Sequence, residues 1–215
     1  MKLSLYYSPN ACSLVPYLTL TEARAEFDVR PINLSKGEHL TPEFRRLNPK
    51  QAVPVLLIDD VPLTENAAIQ IWIARNFPSA KLLPADSMSE IRAIAFLTWC
   101  ASGIHPRLTP NFIPQRFCDL PGSEDSVKRC AQKLLLANYA IADDMLADGR
   151  DWFFESFTAA DAYFFWCFRR GMQFGIDVSR FVRCIAHCRR MTARPSVQQL
   201  LTFEETIVQQ FARAP

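Results

Sequence analysis

Residues 48–77 leave this chain the least freedom; they run from Asn48-Pro49-Lys50-Gln51-Ala52-Val53-Pro54 through Thr64-Glu65-Asn66 to Asn76-Phe77. Val53-Pro54-Val55-Leu56-Leu57-Ile58 is a short apolar run rich in β-branched residues, the pattern of a buried strand. Pro54 cannot donate to a sheet ladder, which places it at a strand's edge or first position. Asp59-Asp60 predicts a tight turn into Val61-Pro62-Leu63. Past Thr64-Glu65-Asn66, the apolar residues Ile69, Trp72 and Ile73 recur at i, i+3 and i+4, which predicts a helix. This order sets polar side chains at a helix start beside the free N–H of a strand-opening valine. Such a junction can hold a small peptide by main-chain and charge contacts.

The residues before it supply the rest of the sheet. Residues 2–7 read as a strand and Ser8-Pro9-Asn10 as a turn. A helix is expected from about Cys12 to Arg24, with Leu14, Val15, Leu18 and Leu20 on its apolar positions. Pro16 suits the first turn of that helix, where a missing N–H matters least. Residues 27–34 alternate and read as an edge strand, given Pro31. Residues 35–47 are polar, with a helical turn near Glu43-Phe44-Arg45-Arg46. The resulting order, β-α-β-(α)-β-β-α, is thioredoxin-like. Cys12 falls at or just before a helix N-terminus, where free N–H groups and the helix dipole favour a thiolate; the other reading is a small buried cysteine.

Val-Pro before a hairpin, then Thr-Glu-x and an amphipathic helix, resembles the glutathione-binding half of the cytosolic glutathione transferases. Tyr6-Tyr7-Ser8-Pro9-Asn10-Ala11-Cys12-Ser13 resembles the start of their bacterial beta class, Tyr-Tyr-x-Pro-Gly-x-Cys-Ser. The resemblance implies a cis Pro54, Val53 pairing its backbone with the cysteinyl part of glutathione, and Glu65 and Asn66 holding the γ-glutamyl end. It also implies that Asn10, Ala11, Leu34, Lys36 and Ala52 line the same site. Lys36 and His39 stand where a basic residue often meets the glycyl carboxylate, or are solvated loop charges. Cys12 matches the cysteine that lies against the glutathione sulfur and can form a mixed disulfide with it; Tyr7 and Ser13 are neighbouring donors. His105 stands where the beta class carries a histidine near the bound thiol. Asn10 replaces the usual Gly, a mild change because Asn tolerates left-handed turn geometry. Pro9-Asn10 also resembles nu-class disulfide reductases, which place an Asn side chain on the sulfur. Cys12, Asn10 and Ser13 all stand as candidates for that contact. Thr98 and Pro106 depart from the Asn and Lys frequent in the beta class.

The remainder is helical. Residues 1–78 form the thioredoxin-like domain, 79–86 a proline-bracketed linker, and 87–215 an all-helical domain. Ser87-Met88-Ser89-Glu90 has capping-box form and opens a helix that Pro106, Pro110 and Pro114 should break. Gly122-Ser123-Glu124-Asp125 opens a second, expected to end at Gly149. Thr158 and Asp161 have capping-box spacing ahead of Tyr163-Phe164-Phe165-Trp166-Cys167-Phe168, a buried central helix. It resembles the N-capping box of the transferase helical domain, which serves folding. Residues 180–192 and 196–213 read as the last helices. Cys184, His187 and Cys188 could face a metal together, but no fourth ligand is evident, and a core face explains them; no metal is expected.

Composition narrows the function classes. A net charge of +2 gives no reason to expect nucleic acid or a membrane surface as partner, and no apolar run is long enough to span a bilayer. Seven cysteines without paired spacing suit a reducing cytoplasm. No glycine-rich phosphate loop is present. The expectation is an enzyme that activates the glutathione thiol for attack on a small apolar electrophile or a disulfide. Its site would lie between two domains, in a homodimer. The alternative is a non-catalytic protein-interaction module on the same fold.

Overall fold

The computed structural model describes residues 1–213. The chain divides into two compact units, Met1–Leu83 together with the segment from Ala193 onward, and Pro84–Thr192.

The first unit is built on a four-stranded sheet ordered β2-β1-β3-β4, from β1 (Leu3–Tyr7), β2 (Asp28–Pro31), β3 (Val55–Ile58) and β4 (Val61–Thr64). β1 runs parallel to β2 and antiparallel to β3, and β3 and β4 form the hairpin turned by Asp59-Asp60. Pairing of Tyr6 with Val55 and of Leu5 with Leu56 sorts the side chains. Tyr6, Val55 and Leu57 meet Phe44, Ile32, Leu34, Leu47, Ala11 and Val53 on one face. Leu5, Tyr7 and Leu56, all buried, point to the other, toward α1 (Leu14–Glu22) and α3 (Asn66–Asn76). α1 begins two residues later than its apolar pattern suggests, leaving Cys12 and Ser13 in the preceding turn, with Pro16 in the first helical turn. Residues 35–47 hold a 3-10 turn, Glu38–Leu40, and α2 (Pro42–Leu47), capped by Thr41.

Sequence order assigns α9 (Pro195–Arg213) to the helical domain, but it belongs by contact to the sheet unit. Its buried stripe of Val197, Leu200, Glu204 and Ile207 faces α1. Phe203 stacks on Tyr17 at 5.0 Å, and Arg194 grips Glu22 through two hydrogen bonds of 2.8 and 2.9 Å. Burial opposes ionisation of Glu22, yet the bonds from Arg194 and Ser196 prevail and hold its carboxyl below the ordinary range.

The second unit holds α4 (Ser87–Trp99), α5 (His105–Phe112), α6 (Glu124–Met145), α7 (Ala159–Gln173) and α8 (Val182–Ala193). The cap of α4 is Asp86, one residue before the expected Ser87, accepting from the N–H groups of Met88 and Ser89 at 3.1 and 2.8 Å. Pro106 does not break the helix. Cys100–Ile104 unwinds into a π-helical stretch and α5 restarts, so Pro106 takes its second position, where no N–H is needed. α6 ends at Met145; Gly149, at φ 85°, closes the turn beyond it. The Thr158–Asp161 box forms: Asp161 accepts from the Thr158 N–H and hydroxyl at 2.8 and 3.0 Å. The same carboxylate takes the Phe153 N–H and His187, each at 3.0 Å. α8 has its first N–H groups capped from α6, where Asp143 accepts from Arg183 and Cys184, both at 2.9 Å. No helix of the described residues is long and apolar enough to cross a membrane.

Candidate functional site

The first unit gathers most of the candidate residues around two junctions. One is the turn from Ser8 to Ser13, between β1 and α1. Its geometry is closed from within: Ser13 Oγ accepts from the Ser8 N–H at 3.0 Å and donates to the Ser8 carbonyl at 3.1 Å. Asn10 takes φ 60°, a left-handed conformation its side chain tolerates. α9 supports the turn through Glu204, which accepts from the Asn10 N–H at 2.7 Å and the Tyr7 hydroxyl at 3.2 Å. α3 supports it through Asn66, whose amide donates to the Cys12 carbonyl at 2.8 Å and accepts from Gln70 at 3.1 Å.

Cys12 itself donates its S–H to the Val53 carbonyl at 3.3 Å. Burial pushes the thiol up to about 12; a backbone hydrogen bond opposes this, and the charge of Glu65 adds to it. Of the two readings of Cys12, its burial favours the small buried thiol over a thiolate at the helix start. The dipole of a short helix is outweighed by desolvation of a side chain only 8% exposed. Cys12 is a hydrogen-bond donor at neutral pH.

The second junction is the start of α3. Val53–Pro54 is cis, and among the described residues the Val53 N–H meets no acceptor. Asn48 fixes the approach by donating to the Ala52 carbonyl at 2.7 Å and accepting from the Lys50 N–H at 3.1 Å. Glu65 precedes α3 with φ 70° and caps nothing with its side chain. Its carboxylate is exposed and paired with Lys50, which also reaches Thr64 at 3.0 Å. The first N–H groups of α3 thus remain uncapped by any side chain, beside an exposed acid. An acid next to helix-start N–H groups complements a zwitterionic amino-acid head: the ammonium meets the carboxylate, and the ligand's own carboxylate meets the N–H groups.

The remaining candidates divide. Ala11, Leu34 and Val53 meet in one apolar cluster under the two junctions. Lys36 sits in the turn after β2, its N–H on Asn33 at 3.2 Å. His105 opens α5 in the other unit, with Nδ1 3.1 Å from the Tyr163 hydroxyl and its ring edge-on to Trp166 at 4.4 Å. Ser13 and Tyr7 are buried and spend the hydroxyl contacts just described on scaffolding.

Comparisons with known proteins identify the family. Residues 1–75 match the family model of the glutathione S-transferase N-terminal domain. The chain is 33% identical over 207 residues to glutathione S-transferase GstA of Escherichia coli O157:H7, covering 94% of this chain and 98% of that one. This chain is a member of the cytosolic glutathione S-transferase superfamily. The structure of a bacterial beta class transferase from Sphingomonas chungbukensis superposes with a TM-score of 0.82 at 33% identity, covering 94% of this chain and 98% of the other. A sphingomonad glutathione S-transferase complexed with glutathione gives a TM-score of 0.82 at 30% identity, with the same coverage.

Within the transferase frame, several residues that brace the two junctions or the start of α9 carry no motif in the sequence. Lys50, Gln70, Glu22 and Glu204 gave no motif. Glu204 did leave a trace, since it interrupts the apolar stripe Val197, Leu200, Ile207 on one helix face. The group Cys184, His187 and Cys188 is core. His187 is taken by Asp161, and burial pushes both thiols up, that of Cys188 to about 11. Among the described residues no cluster of His, Cys, Asp or Glu is arranged to hold a metal.

Proposed function

We propose that this transferase binds glutathione at the two junctions of its first unit and presents the glutathione sulfur to a small apolar electrophile or a disulfide. The observation that carries the reading is the open start of α3: exposed Glu65 beside uncapped N–H groups, with the unbonded Val53 N–H in the same unit. Glu65 takes the γ-glutamyl ammonium, the start of α3 at Asn66 takes its carboxylate, and Val53 pairs with the cysteinyl backbone. Ala11, Leu34, Ala52 and Pro54 form the floor. Lys36 lies on the side of the glycyl carboxylate.

Cys12 enters the chemistry as a donor. Its S–H, held at the Val53 carbonyl, can turn to a sulfur anion placed beside it and stabilise that anion by a hydrogen bond. The glutathione thiol gives its proton to solvent; the thiolate then displaces a leaving group from carbon, or one sulfur from a disulfide. His105, held by Tyr163 in the second unit, is a further candidate proton carrier.

Two exposed apolar stripes in the second unit support a homodimer. α6 presents Cys130, Leu134, Ile141 and Met145, and α4 presents Met88 and Ile91, surfaces a second copy would cover. Seven free cysteines fit the reducing cytoplasm, and a role in detoxification follows from the substrate class. Calorimetric titration with reduced glutathione tests the central reading. Saturable binding weakened by Glu65→Ala is expected; no binding up to millimolar concentration rejects it. Sedimentation at micromolar concentration tests the dimer, and a monomer throughout rejects that part.

A further inference from the structure

α3 begins without a side-chain cap, and its first bonded N–H is that of Ile69, on the Glu65 carbonyl at 2.9 Å. The N–H groups of Asn66, Ala67 and Ala68 meet no acceptor among the described residues, as the first turn of a helix leaves them. Yet an acceptor stands within that turn. Asn66 carries a carboxamide, and asparagine oxygens bond main-chain N–H groups two residues on, which is why the residue favours helix starts. Folded onto Ala68, that oxygen would take the place of a ligand's carboxylate.

The oxygen is drawn the other way. The Asn66 side chain is buried and held at both ends: its nitrogen donates to the Cys12 carbonyl at 2.8 Å, and its oxygen accepts from Gln70 Nε2 at 3.1 Å. The Cys12 carbonyl is a fixed post, because it also accepts the Val15 N–H at 3.1 Å where α1 begins. A carbonyl takes only a donor, so the nitrogen faces Cys12 and the oxygen is left to find a donor of its own. Gln70 supplies one from the next turn of α3, at i+4 on the same face. Gln70 is fully buried, and its own Oε1 has no partner among the described residues. Burying an amide with its oxygen unbonded is costly, and an apolar side chain would avoid that cost. What this amide contributes is its donated bond to Asn66.

We propose that Gln70 is a positioning residue that keeps the start of α3 open. By claiming the Asn66 oxygen it stops that oxygen from capping its own helix, and it leaves the Asn66, Ala67 and Ala68 N–H groups to the γ-glutamyl carboxylate. The part concerning the carboxylate rests on the glutathione reading above. The part concerning the helix start does not.

Full-length Gln70→Met, Asn66→Ala and the double variant test it, with circular dichroism as a check on folding. Methionine matches glutamine in length and lacks the donor. One readout is calorimetric affinity for reduced glutathione and for an analogue with γ-aminobutyrate in place of the γ-glutamyl residue, which keeps the amine and lacks the carboxylate. The other is hydrogen exchange at Ala68, followed by nuclear magnetic resonance. Gln70→Met should weaken glutathione about tenfold, the loss of one hydrogen bond to a charged group, and change the analogue by less than about twofold. It should also slow exchange at Ala68 about tenfold, as the freed Asn66 oxygen caps the helix. In the Asn66→Ala background, where that oxygen is gone, Gln70→Met should change neither. A folded Gln70→Met with wild-type glutathione affinity or wild-type exchange overturns the proposal. So does equal weakening of both ligands, or a Gln70→Met effect undiminished by Asn66→Ala. Should Gln70→Met fail to fold, Gln70→Leu is held to the same outcomes. If the wild-type protein binds no glutathione, the functional reading falls, while exchange at Ala68 still decides the role of Gln70.

Discussion

The two junctions of the first unit are built in opposite ways. In the Ser8–Ser13 turn, Ser13, Asn66 and Glu204 satisfy the polar groups from inside the protein. At the start of α3, by contrast, the helix N–H groups and the Val53 N–H are left open beside an exposed acid that Lys50 pairs with at the surface. A closed junction holds a shape and an open one receives a ligand. The contrast separates residues that matter for stability from residues that matter for affinity, although Val53 belongs to one junction and its carbonyl holds Cys12 of the other.

Substitutions at matched positions can break that contrast. Glu65→Ala should weaken glutathione binding by roughly 10–100-fold, the loss of a charge-assisted bond, with the melting temperature nearly unchanged because the side chain is exposed. Ser13→Ala should do the reverse. It leaves the buried Ser8 N–H without its acceptor, at a cost of about 1–3 kcal/mol in denaturant unfolding. A Glu65→Ala protein that melts early, or a Ser13→Ala protein of full stability, would collapse the distinction.

Titration sharpens it further. The Cys12 thiol lies at about 12 in the folded chain against an ordinary 9.0. Below 9.0 both states hold the proton and its contribution is complete; above it only the unfolded state ionises, so stability should fall as pH rises from 9.0 toward about 12. Cys12→Ala should flatten that part of the unfolding curve. Smaller effects come from groups outside the contrast. Thr158→Ala should cost about 1 kcal/mol as a lost cap, read as a lower melting temperature. Lys50→Ala should cost less than about 1 kcal/mol, since its pair with Glu65 is exposed.

The open junction was legible in the sequence and the closed one mostly was not. A strand, a hairpin and a helix leave periodic marks within thirty residues, and Val53, Glu65 and Asn66 fall where those marks intersect. The turn depends on partners far along the chain: Glu204 lies 197 residues from Tyr7 and 194 from Asn10. Local pattern carries no information about such pairs. The same limit explains Cys12. Its place beside a helix start could be read from Ser8-Pro9-Asn10, but its burial depends on Val53 and on α3. Asp86 displaced Ser87 as a cap because either residue suits the position, and only the backbone turn chooses. Pro106 passed into a helix because a π-helical stretch removed the need for its N–H, an accommodation no propensity scale foresees.

The return of α9 to the sheet also sets an order of events during synthesis. The segment carrying Tyr7, Asn10 and Cys12 leaves the ribosome long before the helix that completes it. Until Glu204 and Arg194 emerge, the Asn10 N–H and the Glu22 carboxylate must find their partners in water. The first unit is therefore begun early and finished late, closing loops of 194 and 197 residues, with the slow, late contact formation such long-range pairing entails.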